Sequence, residues 1–253
     1  KLQLLFQAEL VLIHVGDKSK EEQIKIETLT APFSFDPVNT KLITETGDPA
    51  SAIIKVCMSE NIDLLIAGAL EKESIFQYYI GSVARKILRK AHCSVLLLIS
   101  REGRLDKMEK FCVAMDFTTE SEEIVKKAYN FARLEQAKQL ILIREYEAPG
   151  LVMSIQDTGS TVETERTLLK WKTEEEQMMS IFVKELNLKD IPVKTICLYG
   201  KIGWEANKYV NDIHGDILVI AAPKQKLKFF DRIFQHDMEY ILKKLPCALL
   251  VVK

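Results

Sequence analysis

Two α/β units built on parallel sheets are what these 253 residues predict. Three observations lead there. Strand-like runs of Leu, Ile and Val alternate with segments of helical apolar spacing, Ala50, Ile53, Ile54 and Cys57 in one half, Met238, Ile241, Leu242 and Leu245 in the other. Such alternation is the mark of parallel βαβ units. The chain also repeats itself. DLLIAG, a loop, and SVARKILRKAHCSVLLLI (82–99) are echoed by DILVIA, a loop, and HDMEYILKKLPCALLVV (236–252), with Cys93 and Cys247 in matching places. Finally, the length suits two domains. SREGRLDKMEK (100–110) is polar and without apolar periodicity, so it reads as the linker, and the expected domains are 1–104 and 105–253.

Taken in order, KLQLLFQ reads as a helix tail and AELVLIHV (8–15) as a strand. The first repeat thus opens on what is the second strand of the second repeat. A sheet without its central strand would leave buried backbone groups unpaired, at about 1–3 kcal/mol each. The first domain is therefore expected to be N-terminally incomplete. The second repeat starts cleanly, with the strand FCVAMD (111–116), a cap at Thr119 with Glu122 three residues on, and a helix burying Ile124, Ala128 and Phe131. Its later strands are expected at 140–144, 194–198, 216–221 and 248–252, with the Phe111 strand central.

Lys plus Arg number 35 and Asp plus Glu 36, a net charge of -1 that gives no general attraction to nucleic acid or an anionic membrane. No apolar run is long enough to span a bilayer, and the opening residues lack the basic and small-residue features of a signal peptide. Cys57, Cys93, Cys112, Cys197 and Cys247 form no CxxC pair and sit in apolar contexts, which suits reduced core thiols in a cytoplasmic protein. The histidines show neither HExxH spacing nor a partnered serine elbow, and no metal-holding set is found.

The segment 63–82, DLLIAGALEKESIFQYYIGS, carries the strongest functional signal. Gly68 ends an apolar strand, where open parallel sheets bind ligands. Gly81-Ser82 then opens a helix whose unpaired amides and dipole favour phosphate. The spacing Gly68-x2-Glu71-x9-Gly81-Ser82 resembles the Gly-x2-Gly-x9-Gly-Ser of ATP-binding universal stress proteins, with Glu71 in place of the second glycine. The LIHV strand and Gly47-Asp48-Pro49-Ala50 extend the resemblance over most of both halves.

The resemblance implies the adenine nucleotide alpha hydrolase-like fold, a doubly wound five-stranded parallel sheet flanked by helices, with two such domains in tandem pairing about a pseudo-twofold axis through SVLLLI and ALLVV, and a homodimer. It implies ATP or a related adenine nucleotide as ligand, held in the first domain by Val15, Gly68, Gly81, Ser82 and Val83. In the second domain it carries over Asp116 alone, as a vestige of an adenine contact, since Ala221 stands for the first glycine and Gln235-His236 for Gly-Ser. The implied role is non-catalytic regulation in a stress response. The alternative is a scaffold without nucleotide, or the cytosolic portion of a membrane transporter.

Local readings stand beside these. Gly and Ser are favoured at helix starts, Asp116 suits a helix opening, and Arg85, Lys86, Arg89 and Lys90 suit a solvated face. The GKIG at 200–203 lacks the Lys-Ser/Thr of a P-loop. Phe229 and Phe230 are expected to close the second loop over its own sheet, with Lys224, Lys226, Lys228 and Arg232 interleaved as a candidate partner surface.

Overall fold

The computed structural model describes residues 1–17, 19–32, 38–72, 77–99, 107–147, 161–222 and 236–253. The chain divides into two compact units, Lys1–Leu65 with Gly81–Ser94, and Ile66–Ile80 with Val95–Lys253.

In the first unit the helix α1 (Leu2–Phe6) precedes β1 (Leu10–Val15), which pairs in parallel with β2 (Thr40–Glu45), from Leu10 opposite Thr40 to Val15 opposite Glu45. Between them runs α2 (Lys20–Thr30), started by Ser19, whose side chain accepts from the Glu22 amide. Helix α3 (Pro49–Ser59) turns its apolar stripe inward, burying Ala50, Ala52, Val56 and Cys57. Its Pro sits in the first turn, where no amide is needed, and Asp48 caps it by accepting from Ser51 N. Helix α4 (Ser82–Lys90) buries Ile87 and Leu88. The unit's thiols are buried, and that of Cys57 is pushed up by its hydrogen bond to Cys93 and by burial.

The second unit is built on one seven-stranded sheet. After β3 (Leu64–Gly68) come β4 (Leu70–Lys72) and β5 (Gln77–Tyr79), an antiparallel pair that places Glu71 opposite Tyr78, and then β6 (Ser94–Leu98). The remaining strands are β7 (Lys110–Met115), β8 (Gln139–Tyr146), β9 (Val193–Tyr199), β10 (Ile217–Ala221) and β11 (Ala248–Val252). The sheet order is β3-β6-β11-β10-β7-β8-β9. The five strands β11-β10-β7-β8-β9 are parallel, with β7 central as expected. Strand β6 then joins β11 antiparallel, Leu97 opposite Leu249 and Val95 opposite Val251.

The strands of the first repeat therefore do not make a separate five-stranded sheet: β1 and β2 pair with each other, while β3 and β6 extend the second repeat's sheet. Correspondences between the repeats survive this division. The Ser94 amide donates to Asp63 O as the Ala248 amide donates to Asp216 O, and Ala69 N donates to Leu98 O as Ala222 N does to Val252 O. Asp216 does more, since its carboxylate accepts from the amides of Glu109 and Lys110 and so fixes the start of β7. The linker is shorter than expected. Met108 is buried and Lys110 already belongs to β7, while 100–106 lie outside the described residues.

Helix α5 (Thr119–Leu134) packs Ile124, Val125, Ala128, Phe131 and Ala132 on the sheet, with Phe131 edge-on to Phe111 at 5.2 Å. It starts one residue earlier than the sequence suggested: Thr118, in extended conformation, is the cap and accepts from Ser121 N, while Glu122 pairs with Lys126. The other helices are α6 (Thr161–Leu186), α7 (Trp204–Asp212) and α8 (His236–Lys243). Among the described residues no helix is long and apolar enough to cross a membrane.

Candidate functional site

Helix α4 opens at Gly81, whose φ of -68° and ψ of 170° any residue can adopt. Glycine there is not demanded by the turn. No side chain caps this end, so the first amides of α4 are left to solvent or a ligand. Gly68, at the end of β3, is likewise not forced by crowding, because a Cβ built on it meets nothing within 4 Å. Both glycines leave backbone uncovered. Val15 ends β1, and beyond it Gly16 N donates to Glu45 O. Val15, Gly81, Ser82 and Val83 belong to the first unit and Gly68 to the second.

The starts of α2, α3 and α5 are filled. Asp48, capping α3, also receives Lys86 Nζ at 2.6 Å, and Lys86 with the hydroxyl and amide of Ser51 holds its carboxyl well below the usual carboxylate range. At α5, Asp116 Oδ1 accepts from Thr118 N at 3.0 Å, from Ser121 Oγ at 2.6 Å and from the Thr118 hydroxyl. Burial pushes this carboxyl up. The bonds from Ser121 and Thr118, with the nearby Arg144 charge, more than offset that and leave it lowered. Asp116 is thus bound into its own helix start.

The GKIG turn is filled as well, by a residue the sequence reading missed. Glu145, 6 % exposed, accepts from Gly203 N at 3.0 Å and from Ala206 N at 2.7 Å, putting a carboxylate where an anion would otherwise sit at the start of α7. Gly203 has φ +80°, a left-handed conformation that requires glycine. An acidic residue ending an apolar strand was the one signal available for this in REYE (144–147).

A second paired feature recurs in both repeats. His14 on β1 meets Glu22 on α2 at 2.8 Å, and Arg144 on β8 meets Glu175 on α6 at 2.7 and 3.2 Å. Each ties a strand to the helix that follows it. Arg144 also lies 5.1 Å from the centre of the Phe117 ring, which in turn packs on Phe182. The loop 223–235, with Phe229, Phe230 and its interleaved lysines, lies outside the described residues. Among the described residues no group of three or more His, Cys, Asp and Glu could hold a metal ion.

Asp116 supplies a test by pH. Asp116→Asn is expected to cost about 1 kcal/mol at neutral pH, as for loss of a helix-start acceptor. Because the folded carboxyl is lowered, its contribution is complete above the unfolded value near 3.9 and fades as pH falls through the lower folded value. Urea unfolding of both forms should show the gap at pH 7 and closure in strong acid. A gap that persists there would remove the carboxylate from the account.

The model of the Universal stress protein family matches residues 6–98 and 107–253. A universal stress protein of Methanothermobacter thermautotrophicus is 31% identical over 70 residues, 28% of this chain and 47% of the relative. One from Methanocaldococcus jannaschii is 24% identical over 90 residues, 36% of this chain and 51% of the relative. The chain thus spans about half the length of these curated relatives. A universal stress protein structure from Pseudomonas aeruginosa superposes with a TM-score of 0.73 at 16% identity, covering 100% of this chain and 85% of the other. One from Archaeoglobus fulgidus gives 0.56 at 15% identity, over 96% and 85%. At these identities the structural likeness speaks for the fold.

Proposed function

Since the chain belongs to the universal stress protein family, with two regions matching its model, we propose that it is a non-catalytic regulator that binds ATP or a related adenine nucleotide in its first repeat. The phosphates lie on the amides of Ser82 and Val83 at the start of α4, with Val15 lending backbone to the rest of the nucleotide. One contrast carries this reading. Helices α2, α3, α5 and α7 have their opening amides taken by Ser19, Asp48, Thr118 and Glu145, whereas α4 begins on a glycine with no side-chain cap. An uncapped helix start draws an anion through its amides and dipole. The second repeat is a structural partner, because Asp116 and Glu145 are spent on the repeat's own amides and hydroxyls. Pairing of the repeats through β6 and β11, supported by their antiparallel ladder, and dimerisation of the whole protein complete the proposal.

Calorimetry with ATP tests it. Ser82→Asp places a carboxylate at the phosphate position and should weaken binding at least about tenfold, near 1.4 kcal/mol. The same change should leave the fold as stable or slightly more stable, because an acid in the first turn suits the helix dipole. Gly81→Val is compatible with the observed backbone, so it should fold and lose ATP through obstruction of the amides. Undiminished affinity in both variants would move the ligand elsewhere.

A further inference from the structure

Helices α3 and α4 pack together in the first unit and leave an open groove of about 560 Å³, the size of a small-ligand site, lined by Ser51, Ile54, Lys55, Met58, Lys86 and Lys90. Its construction is amphipathic. Ile54 and Met58, one helical turn apart on α3, give an apolar row, and Met58 is left 56 % exposed. Around this row stand three ammonium groups and, among the lining residues, no carboxylate. The three are not equivalent. Lys86 is fixed by Asp48 Oδ2 at 2.6 Å and Ser51 Oγ at 2.9 Å. Lys55 reaches Glu45 only at 3.4 Å and is 72 % exposed. Lys90, one turn beyond Lys86, makes no ion pair or hydrogen bond among the described residues.

We propose that this groove binds an anionic amphiphile, a medium-chain carboxylate of the fatty-acid kind, with its alkyl chain along Ile54, Met58 and the lysine stems and its carboxylate at Lys90 and Lys55. The lining selects for both halves of such a molecule. A neutral chain would cover the apolar row and leave Lys90 without a counter-charge, whereas a polyphosphate would match the charge and leave Ile54 and Met58 wet. The seat lies along the second and third turns of α4 and is distinct from its uncapped start, so the proposal stands apart from the nucleotide reading.

The test is titration of the full chain with decanoate, decanol and decyltrimethylammonium, followed through the methyl NMR signals of Ile54 and Met58. Decanoate should shift both signals and saturate, decanol should bind at least about tenfold more weakly, and the cation should not bind. Lys90→Glu, and separately Ile54→Ser, should each weaken decanoate at least about fivefold while circular dichroism stays unchanged. Saturating ATP should leave decanoate affinity within about twofold, and anionic phospholipid vesicles should not sediment the protein. Equal binding of decanol and decanoate, an unaffected Lys90→Glu variant, competition by ATP, or vesicle capture lost in Lys90→Glu would each overturn the assignment. The last would make the ligand a membrane headgroup.

Discussion

Replacing Glu145 with alanine is expected to destabilise the protein by about 3–5 kcal/mol, because it removes a charged acceptor and leaves two amides at the buried start of α7 without partners. Each charge-assisted hydrogen bond contributes about 1.5–3 kcal/mol, and each orphaned donor costs about 1–3 kcal/mol, the two figures overlapping rather than adding. Glu145→Gln keeps one acceptor oxygen in place and should cost roughly half as much. Chemical denaturation followed by circular dichroism gives the comparison. A loss below about 1 kcal/mol in the alanine variant would mean that water replaces the carboxylate, and the α7 start would again be open to anions.

Phe111→Ala should be as costly, about 3–5 kcal/mol. The ring is fully buried on the middle one of the second repeat's five parallel strands and sits edge-on to Phe131 at 5.2 Å. Because β7 lies between β10 and β8, a cavity there touches both neighbours and cannot collapse by moving one edge. Phe111→Leu should recover more than half of the loss by filling most of the space. Retained stability in the alanine form would show that the central position of β7 does not organise this core.

The second repeat was legible because its strands are continuous runs such as LILI and ILVI, buried on both faces, and its α5 shows a clean apolar stripe. Helix α2 was not, since KEEQIKIETLT buries none of its residues and so prints no stripe in the sequence. The cap of α5 was displaced by one residue because Thr118 and Thr119 are chemically alike, and only the backbone angles choose between them. The division of the first repeat's strands between two sheets depends on tertiary pairing, for which Leu and Val runs carry no address. At the candidate site, the two glycines and Ser82 were readable as spacing. What spacing could not disclose was which helix starts are already filled, because Glu145 reaches Gly203 and Ala206 across 58 and 61 positions of sequence.

The most direct test of the central claim, that α4 of the first repeat is the anion-binding helix start and the α5 and α7 starts of the second repeat are self-filled, is amide NMR of the full chain during titration with ATP. The account predicts saturable shifts at the amides of Ser82, Val83 and Ala84, with those of Thr118, Ser121, Gly203 and Ala206 unmoved. Shifts confined to the second repeat, or none at all with saturating ATP, would contradict it.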